Sequence, residues 1–425
     1  MPTEVFTVYT VAVLGAGARG GNVYARLMNR LPERYKVTHI CDIDEDTLAA
    51  AGDEFQIPET HRYSSETDFF RRRRADIIVI ATPDDCHVRH ALKAMELGYD
   101  ILCEKPITDK IDECEALLAA QRKYGNKILV CHVLRYAASY STLKSIIDNG
   151  TIGRLVSMDW IEPVGYWHQA HSFVRGTWRN TKNSAPMIIA KCCHDLDMIQ
   201  YFAGAKCKSV SSFGDLTFFK PQCAPEGAAK RCCECGLKDT CPYSAYLIYI
   251  DGWKKKNCPP HYWPYNVLVE EPVTEEKLLE AIEYGPYGRC VFHCDNNVVD
   301  HQTVNMLFEN GITATLQMNA FNVGGGRRIT VFGTYGEAYM TDKEIVLNVY
   351  GKPTEVIDVA VNQHGLDYAH GGGDARMIAA LYDMVSGEKP LTTALETSIE
   401  SHLIGIKAEQ SRLAGGAVIA VHDGE

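Results

Sequence analysis

Two side chains in this sequence have the type and the position needed to move a proton, Lys105 and His194. Lys105 follows Glu104 and precedes Pro106 at the end of an apolar, strand-like run. In an open α/β sheet, ligands bind beyond the carboxyl ends of the strands, so Lys105 is predicted to point into a ligand crevice. An ammonium group held there can polarise or deprotonate a hydroxyl group. The alternative is an exposed lysine at a strand end without a chemical role.

His194 stands within the segment 191–197, just before an apolar helical run at residues 198–202. From this position an imidazole can face a cleft and shuttle a proton near neutral pH. Asp195 or Asp197 can cap or charge the first turn of the helix. The alternative is a structural histidine whose hydrogen bonds are satisfied inside the protein.

Residues 15–20 have the spacing Gly-x-Gly-x-x-Gly, between a strand-like run and a helix-like run. A second strand-like run ends at Asp42, about the separation that a βαβ unit requires. Gly15 allows a tight turn, Gly17 lets the backbone approach a pyrophosphate, and Gly20 lets helix and strand pack closely. The phosphates are expected to lie on the free N–H groups of a helix N-terminus. Asp42 can accept hydrogen bonds from both ribose hydroxyls and would repel a 2′-phosphate, which favours NAD over NADP.

Two further segments, at residues 135–136 and 167–179, are rich in side chains that bind sugars. Aromatic faces stack on the C–H surfaces of a sugar, and arginine offers a planar fork to hydroxyls or carboxylates. The alternative is a surface loop anchored by buried tryptophans. The predicted substrate-binding residues in these segments are Arg135, Tyr136, Trp167, His171, Arg175, Trp178 and Arg179.

Cysteines are concentrated in residues 223–241. Cys232 and Cys235 have the spacing that lets two thiolates chelate one metal ion, and Cys223 and Cys241 can complete a tetrahedron. Zinc bound there would staple an insertion at about residues 221–297, which is expected to lack a core of its own. An iron–sulfur cluster is a less favoured alternative, and a set of unliganded thiols is another.

The elements that must position these groups alternate in type over the first 133 residues. This alternation predicts a doubly wound parallel sheet and an NAD-binding Rossmann domain at residues 1–136. The predicted strands are 8–14, 36–41, 76–81, 99–103 and 127–132. The predicted helices are 20–31, 44–54, 65–73, 87–97 and 108–124.

After about residue 137 the strand-like runs become longer, which predicts a second domain at residues 137–425 for substrate binding and oligomerisation. The fold class is therefore α/β, a Rossmann domain followed by an α+β domain with a large, mostly antiparallel, open-faced sheet. Such a face, rich in β-branched residues, would be left exposed to water, so a homodimer or homotetramer is expected. The predicted strands are 155–162, 208–213, 298–308, 313–320, 327–333 and 337–341, with helices at 375–386 and 395–413.

Composition excludes several classes of protein. The 425 residues carry a net charge of −11, which argues against nucleic acid as a partner. No apolar stretch approaches the roughly 18 residues of a membrane span, and no basic segment precedes an apolar run at the N-terminus. Without an export signal, the 16 cysteines indicate reduced thiols or metal ligands in a cytoplasmic protein.

Taken in order, the motifs resemble those of the Gfo/Idh/MocA oxidoreductases, a family named for glucose–fructose oxidoreductase and inositol dehydrogenase. The resemblance covers nearly the whole chain. The matching motifs are the glycine loop, Ala81-Thr82-Pro83 with His87, Glu104-Lys105-Pro106, His194-Asp195-x-Asp197, residues 324–333 running into Thr334-x-Gly336-Glu337, and His370-Gly371-Gly372-Gly373-Asp374 before a helix.

The resemblance implies hydride transfer between a sugar or polyol carbon and the nicotinamide, with Lys105 and His194 beside the reacting hydroxyl. Many members carry an aspartate four residues before that histidine, where this chain has Ala190 and then Lys191. Lys191 is therefore predicted to tune its neighbours or to bind an anionic substituent of the substrate, and Asp195 to contact the substrate. The residues expected at NAD are Gly15, Gly17, Ala18, Arg19, Gly20, Asp42, Thr82, Pro83, His87 and Glu104.

Three functions remain open at this stage. The first is an NAD-dependent dehydrogenase that acts on a sugar, sugar acid, polyol or glycoside. The second is a redox-neutral glycoside-cleaving enzyme that oxidises, eliminates and re-reduces. The third is a non-catalytic dinucleotide-binding regulator, against which the presence of both Lys105 and His194 argues.

Overall fold

Two β-sheets, with helices packed around them, make up the protein in the computed structural model. The described residues are 7–182, 184–260, 262–360, 370–389 and 393–422. The predicted fold class is confirmed, since a parallel Rossmann sheet is followed by a mixed, mostly antiparallel one. Among the described residues, no helix combines the length and the apolar character that crossing a bilayer requires.

The first sheet is parallel and has the strand order β3-β2-β1-β4-β5-β6. This is the doubly wound order, in which strands are added outward from β1 on one side and outward from β4 on the other. The change of side leaves a crevice at the carboxyl ends of β1 and β4. The two-residue strand β3 is an edge strand that the sequence pattern did not reveal. The strands are β1 Tyr9–Leu14, β2 Tyr35–Cys41, β3 Arg62–Tyr63, β4 Ile77–Ile80, β5 Asp100–Cys103 and β6 Ile128–Val130.

The helices of this domain begin and end at recognisable signals. Asp44 caps one N-terminus by accepting from the amide of Thr47 at 2.7 Å. Gly125 ends another helix in the left-handed region with φ +72°. A π-helical turn at Gly20–Ala25 continues into the first α-helix. The helices are α1 Arg26–Asn29, α2 Glu45–Glu54, α3 Glu66–Phe69, α4 His87–Glu96 and α5 Ile111–Tyr124.

The second sheet has nine strands in the order β14-β13-β12-β11-β7-β10-β9-β8-β15. β7 pairs with β10 in parallel, and the neighbouring pairs are antiparallel. Residues alternate between buried and exposed along β9, as expected for a sheet with one covered face. The sequence pattern did not predict β13, β14 or β15. The strands are β7 Leu155–Gly165, β8 Cys207–Asp215, β9 His301–Phe308, β10 Thr313–Asn322, β11 Arg328–Gly333, β12 Gly336–Met340, β13 Glu344–Val349, β14 Glu355–Asp358 and β15 Ile419–Ala420.

Two helices from the later part of the chain carry or pack beside candidate functional residues. α9, Cys193–Ala203, carries His194 in its first turn. α13, Gly373–Ser386, packs its apolar face against the first sheet, and the hydroxyl of Tyr35 donates to the carbonyl of Ile378. The remaining helices are α6 Ala138–Asp148, α7 Tyr166–His168, α8 Met187–Ala190, α10 Gly252–Lys255, α11 Tyr265–Leu268, α12 Glu275–Tyr284 and α14 Leu395–Leu413.

The insertion between β8 and β9 contributes Tyr249, Trp253, Leu278 and Ile282, all buried, to a hydrophobic cluster. That cluster also contains residues from outside the insertion, among them Ala170 and Ala320, so the expectation that the insertion lacks a core of its own stays a prediction. Tyr249 lies in an apolar run at residues 245–250, whereas Leu278 and Ile282 lie on α12, about 30 residues later in the sequence. Packing between short helices brings them together.

Candidate active site

A cavity of about 430 Å³ opens at the carboxyl ends of β4 and β5, between the glycine loop and the start of α9. It brings Lys105 and His194 together although they are far apart in sequence. A larger open groove of about 1030 Å³ on α4 and α5 contains none of the predicted site residues. The residues lining the smaller cavity are Ala18, Arg19, Ala81, Thr82, Pro83, Asp84, His87, Glu104, Lys105, Cys131, Val133, Thr177, Trp178, Ser184, His194 and His370.

The glycine loop has the geometry that a dinucleotide requires. Gly15 adopts φ +87°, and a Cβ there would lie 2.5 Å from the carbonyl oxygen of Ala81. A Cβ on Gly20 would lie 1.9 Å from the carbonyl oxygen of Gly15, so both positions exclude larger residues. A Cβ on Gly17 would meet nothing within 4 Å, which leaves space above the loop. The residues present therefore fit a pyrophosphate at this helix N-terminus.

Asp42 follows β2 and joins that strand to the glycine loop. Its carboxylate accepts from the amide of Ala16 at 2.7 Å and from the amide of Asp44 at 3.0 Å. Each carboxylate oxygen has a second lone pair, so the group retains capacity for ribose hydroxyls. Its negative charge at this position disfavours a 2′-phosphate.

A network of charged side chains supports the backbone of Lys105. The guanidinium of Arg19 donates to Glu104 at 2.7 Å and to Asp374 at 2.6 Å. Tyr24 also donates to Glu104, whose other carboxylate oxygen accepts from the amide of Lys105 at 3.0 Å. Burial alone would raise the pKa of Glu104, but the charges of Arg19 and Lys105 outweigh it and lower that pKa. The carboxylate is therefore ionised and fixes the segment that carries the lysine.

His87 lies between two strand ends rather than facing the cavity with a free nitrogen. Its Nε2 lies 2.7 Å from the carbonyl oxygen of Thr82, and its Nδ1 lies 2.7 Å from that of Pro106. The hydroxyl of Thr82 is in turn 3.0 Å from Nδ1 of His90. A neutral ring has one N–H and donates to one of the two carbonyls, so His87 lies between the loops after β4 and β5 and bonds to one of them.

His194 lies in the cavity wall without a carboxylate partner. Its buried Nδ1 has no hydrogen-bond partner among the described residues. Its ring centroid lies 6.2 Å from that of His132 and 6.1 Å from that of His370. Burial, followed by the positive charge of Lys105, holds the pKa of His194 well below its usual value. The imidazole is therefore neutral at pH 7.

Lys191 and Asp195 belong to a buried cluster of charges rather than to the lining of the cavity. Lys191 lies 2.7 Å from Glu162, which also binds Arg327 at 2.9 Å. Arg327 donates to Asp195 at 2.6 Å, and Trp160 donates to the same carboxylate at 2.7 Å. Burial opposes ionisation of Glu162, but Arg327 and Lys191 lower its pKa. The predicted roles of Lys191 and Asp195 in substrate binding stay predictions.

Arg135 and Tyr136 lie behind the cavity. Arg135 makes a bidentate pair with Asp197, with N–O distances of 2.7 and 2.6 Å. The hydroxyl of Tyr136 lies 3.1 Å from that of Thr393. Neither predicted residue is among the described residues that line the cavity.

Of the predicted residues in 167–179, the cavity contains Trp178, whose Nε1 donates to Asp84 at 3.1 Å. The other four contact the insertion or its flanks. The ring centroid of Trp167 lies 5.4 Å from that of Trp263, and His171 stacks on Tyr287 with a centroid distance of 4.8 Å. Arg175 donates to the carbonyls of Arg289 and Tyr243, both at 2.7 Å. Arg179 pairs with Asp295 at 2.8 Å.

The predicted metal ligands are only partly brought together. Cys232, Cys235 and Cys241 line a small cavity of about 20 Å³ together with Cys290. The thiol of Cys223 instead donates to the carbonyl of Thr217 at 3.4 Å. The prediction placed Cys223 with the other three from sequence spacing alone, and spacing does not determine the direction of a side chain. Across the described part of the chain, no group of three or more His, Cys, Asp or Glu side chains is arranged to hold a metal ion. The zinc prediction and its iron–sulfur alternative are therefore not confirmed.

Sequence reasoning did not select several residues that line the cavity, namely Asp84, Thr177, Ser184 and His370. For His370 a signal was present, since a histidine, three glycines and an aspartate precede a helix. Asp84 and Thr177 begin short 3₁₀ turns and Ser184 lies in a loop, and nothing in their local pattern distinguishes them from surface residues.

Comparison with known proteins agrees with this architecture. The description "Oxidoreductase family, NAD-binding Rossmann fold" belongs to a Gfo/Idh/MocA family model that matches residues 9–132. A second model of that family, described as its C-terminal alpha/beta domain, matches residues 144–418.

Similar proteins include oxidoreductases and polyol dehydrogenases. The oxidoreductase YteT of Bacillus subtilis is 23% identical over 403 residues, which cover 90% of this chain and 89% of YteT. Inositol 2-dehydrogenase of Salmonella typhimurium is 28% identical over 143 residues, 33% of this chain and 42% of that enzyme. A crystal structure of an oxidoreductase from Agrobacterium radiobacter with NAD+, L-tartaric acid and magnesium has a TM-score of 0.68 at 13% identity, covering 98% and 99% of the two chains. At that identity the likeness concerns the fold.

Proposed function

The chain belongs to the Gfo/Idh/MocA family of oxidoreductases, and from this premise we propose that it is an NAD-dependent dehydrogenase for a secondary alcohol of a sugar, sugar acid, polyol or glycoside. The observation that carries the proposal is that Lys105 and His194 line one cavity with the end of the glycine loop. A lysine, a neutral imidazole and a dinucleotide loop around one space suit the removal of a hydroxyl proton during hydride transfer.

NAD bound along the glycine loop supplies the hydride acceptor. Gly15 and Gly20 shape the turn, and the space above Gly17 admits the pyrophosphate. Asp42 accepts from the ribose hydroxyls, and Thr82 and Pro83 lie along the crevice that continues towards Lys105. The loops after β4 and β5, with His87 between them, hold the cofactor and the substrate in position for hydride transfer.

The substrate hydroxyl lies between Lys105 and His194. The Lys105 ammonium polarises the hydroxyl oxygen and stabilises negative charge that develops there. The neutral imidazole of His194 holds the same hydroxyl by a hydrogen bond. Trp178 offers an aromatic face to the sugar ring, and Asp84 and Ser184 offer polar atoms to its other hydroxyls.

The test is an assay of the purified protein with NAD and a panel of sugars, sugar acids, polyols and glycosides. Absorbance of the reduced cofactor and release of aglycone are followed together. One reduced cofactor formed per substrate consumed supports the dehydrogenase. Aglycone released without accumulation of reduced cofactor replaces it with a redox-neutral glycoside-cleaving enzyme. NAD binding without turnover of any substrate contradicts both and favours a regulator.

Self-association as a homodimer or homotetramer is part of the proposal. Apolar residues on the outer face of the second sheet are exposed, among them Val156 at 43%, Phe213 at 58% and Leu307 at 37%. Covering such a face in a second copy removes apolar surface from water. Light scattering coupled to size-exclusion chromatography tests it, and a monomer at micromolar concentration contradicts it.

A cytoplasmic location is proposed on the state of the cysteines. All sixteen lie among the described residues as free thiols, which suits a reducing compartment. Thiol titration of the freshly purified native protein under denaturing conditions tests this proposal. Fewer than the full set of reactive thiols contradicts it.

A further inference from the structure

His370 lies on the wall of the cavity that contains Lys105 and His194, but it comes from a distant part of the chain. It stands just before α13, and its ring centroid is 6.1 Å from that of His194. Its side chain is 41% exposed, so water reaches it while its ring faces the cavity. Besides His87 and His194, the cavity therefore has an imidazole with access to solvent.

A carboxylate fixes the tautomer of His370. Its Nδ1 lies 2.8 Å from Asp374, and the other oxygen of Asp374 binds Arg19 at 2.6 Å. An ionised carboxylate on Nδ1 keeps the ring proton there, which leaves Nε2 as a hydrogen-bond acceptor. The same carboxylate stabilises the imidazolium that forms when Nε2 gains a proton. This is the arrangement of a proton acceptor.

The backbone holds His370 in a conformation that residues other than glycine rarely adopt. Its φ is +51°, and Gly371 and Gly372 continue the turn at φ +66° and +80°. A side chain in the left-handed region is strained relative to glycine, although histidine adopts it more often than most residues. Glycine at position 370 would relieve the strain, so the presence of histidine there points to a use for its side chain.

His194 lacks the features that would let it keep the proton. Its Nδ1 has no partner among the described residues, and the ammonium of Lys105 disfavours a positive charge on its ring. The carboxylate next to it in sequence, Asp195, is bound to Arg327 and Trp160. His194 suits the positioning of a hydroxyl, and His370 suits the uptake of its proton.

We propose that His370 takes up the proton that leaves the substrate hydroxyl and passes it to solvent, in the dehydrogenase reaction proposed above, on which this inference rests. The O–H bond breaks and its proton bonds to Nε2 of His370. The electron pair left on oxygen forms the second carbon–oxygen bond, as the C–H pair leaves as hydride to the nicotinamide of NAD. Water then removes the proton from the imidazolium, with Asp374 ionised throughout.

The test replaces His370 by asparagine, which tolerates a left-handed backbone and can still donate to Asp374. The expected result is a fall in kcat of about 10²-fold or more, with the NAD dissociation constant and the Tm unchanged. Imidazole added to the assay should restore part of the rate, which a purely structural residue would not allow. The matched control is His301→Asn, since His301 is 42% exposed and pairs with Asp300 at 2.8 Å but lies outside the cavity lining.

The results distinguish failure of the proposed function from failure of this inference. Wild-type protein that turns over no substrate overturns the proposed function and this inference with it. Wild-type turnover with an equally active H370N overturns the inference alone, as does a loss of NAD affinity at unchanged kcat. If H370N fails to fold, H370G serves instead, because glycine suits the backbone and leaves room for imidazole. No response of H370G to imidazole overturns the inference, and a rate that rises with imidazole supports it.

Discussion

The two walls of the cavity are built differently. On the wall formed by the first sheet, backbone atoms of the glycine loop and residues at strand ends face the ligand space. The other wall contains few charged groups, and the charged residues behind it, outside the cavity lining, bind one another: Arg135 binds Asp197, Lys191 binds Glu162 and Arg179 binds Asp295.

The difference shows how far residue type alone can indicate function. A glycine that must adopt a positive φ or pack against a carbonyl is constrained by its backbone, so its position is informative in the sequence itself. An arginine carries the same charge whether it binds a ligand or a buried aspartate, and a buried pair leaves little capacity for a ligand. Whether a charged residue is available to a ligand therefore depends on its ion-pair partner, which the sequence pattern does not identify.

The largest expected effect comes from Lys105→Ala, which removes the cation from the strand-end wall. We expect kcat to fall by about 10²- to 10⁴-fold, since the group is proposed to act on the reacting hydroxyl. NAD binding, measured by fluorescence titration, should be unchanged. The control is Lys110→Ala, whose Nζ pairs with Glu113 at 2.8 Å on the surface. Full activity of the Lys105 variant would remove the catalytic assignment.

Arg135→Ala tests whether the buried charged pair behind the cavity is structural. Removing this guanidinium leaves Asp197 buried without its bidentate partner, which typically costs about 3–5 kcal/mol of unfolding free energy. Arg179→Ala is the matched variant, because its partner Asp295 is 56% exposed and exposed pairs contribute about 0–1 kcal/mol. Urea denaturation of the two proteins measures the difference. Equal stability of both variants would contradict the structural role assigned to the buried pair.

Gly17→Ala tests whether the cofactor lies over the glycine loop, residues 15–20. The added methyl meets nothing within 4 Å in the protein, so the Tm should not change. It occupies the space assigned to the pyrophosphate, and we expect NAD to bind about tenfold more weakly or worse, a cost of at least about 1.4 kcal/mol. Gly236→Ala, also without neighbours within 4 Å, is the control. Unchanged NAD affinity would mean that the cofactor does not lie over Gly17.

The parts of the molecule that sequence could predict share a local physical cause. The parallel strands and the glycine loop follow from short-range patterns, and so does the turn that ends a helix at Gly125. The expectation that Lys105 and His194 lie at one site came from the family resemblance, which rests on the order of the motifs along the chain. The pairing of Arg135 with Asp197, the thiol direction of Cys223 and the hydrophobic cluster that includes the insertion depend on packing between distant segments. Local patterns carry no record of such contacts.

The smallest expected effect concerns pH and a histidine behind the site. Nδ1 of His402 donates to the carbonyl of Ser398 at 2.7 Å, and Nε2 accepts from the amide of Ile107 at 2.9 Å. Both nitrogens are therefore satisfied in the neutral ring, and a second ring proton would break the bond to Ile107. Burial lowers the pKa of His402 to about 4.

Because the folded-state pKa lies below the unfolded value of about 6.5, the unfolded chain binds more protons between these two values. Stability from this group is thus complete above about pH 6.5 and is lost as the pH falls towards 4. From pH 7 to pH 6 the loss is below about 1 kcal/mol. His402→Gln keeps an acceptor for Ile107 without titrating, so its unfolding free energy should vary less with pH than that of the wild type. A wild-type pH dependence equal to that of H402Q would contradict the neutral, buried ring.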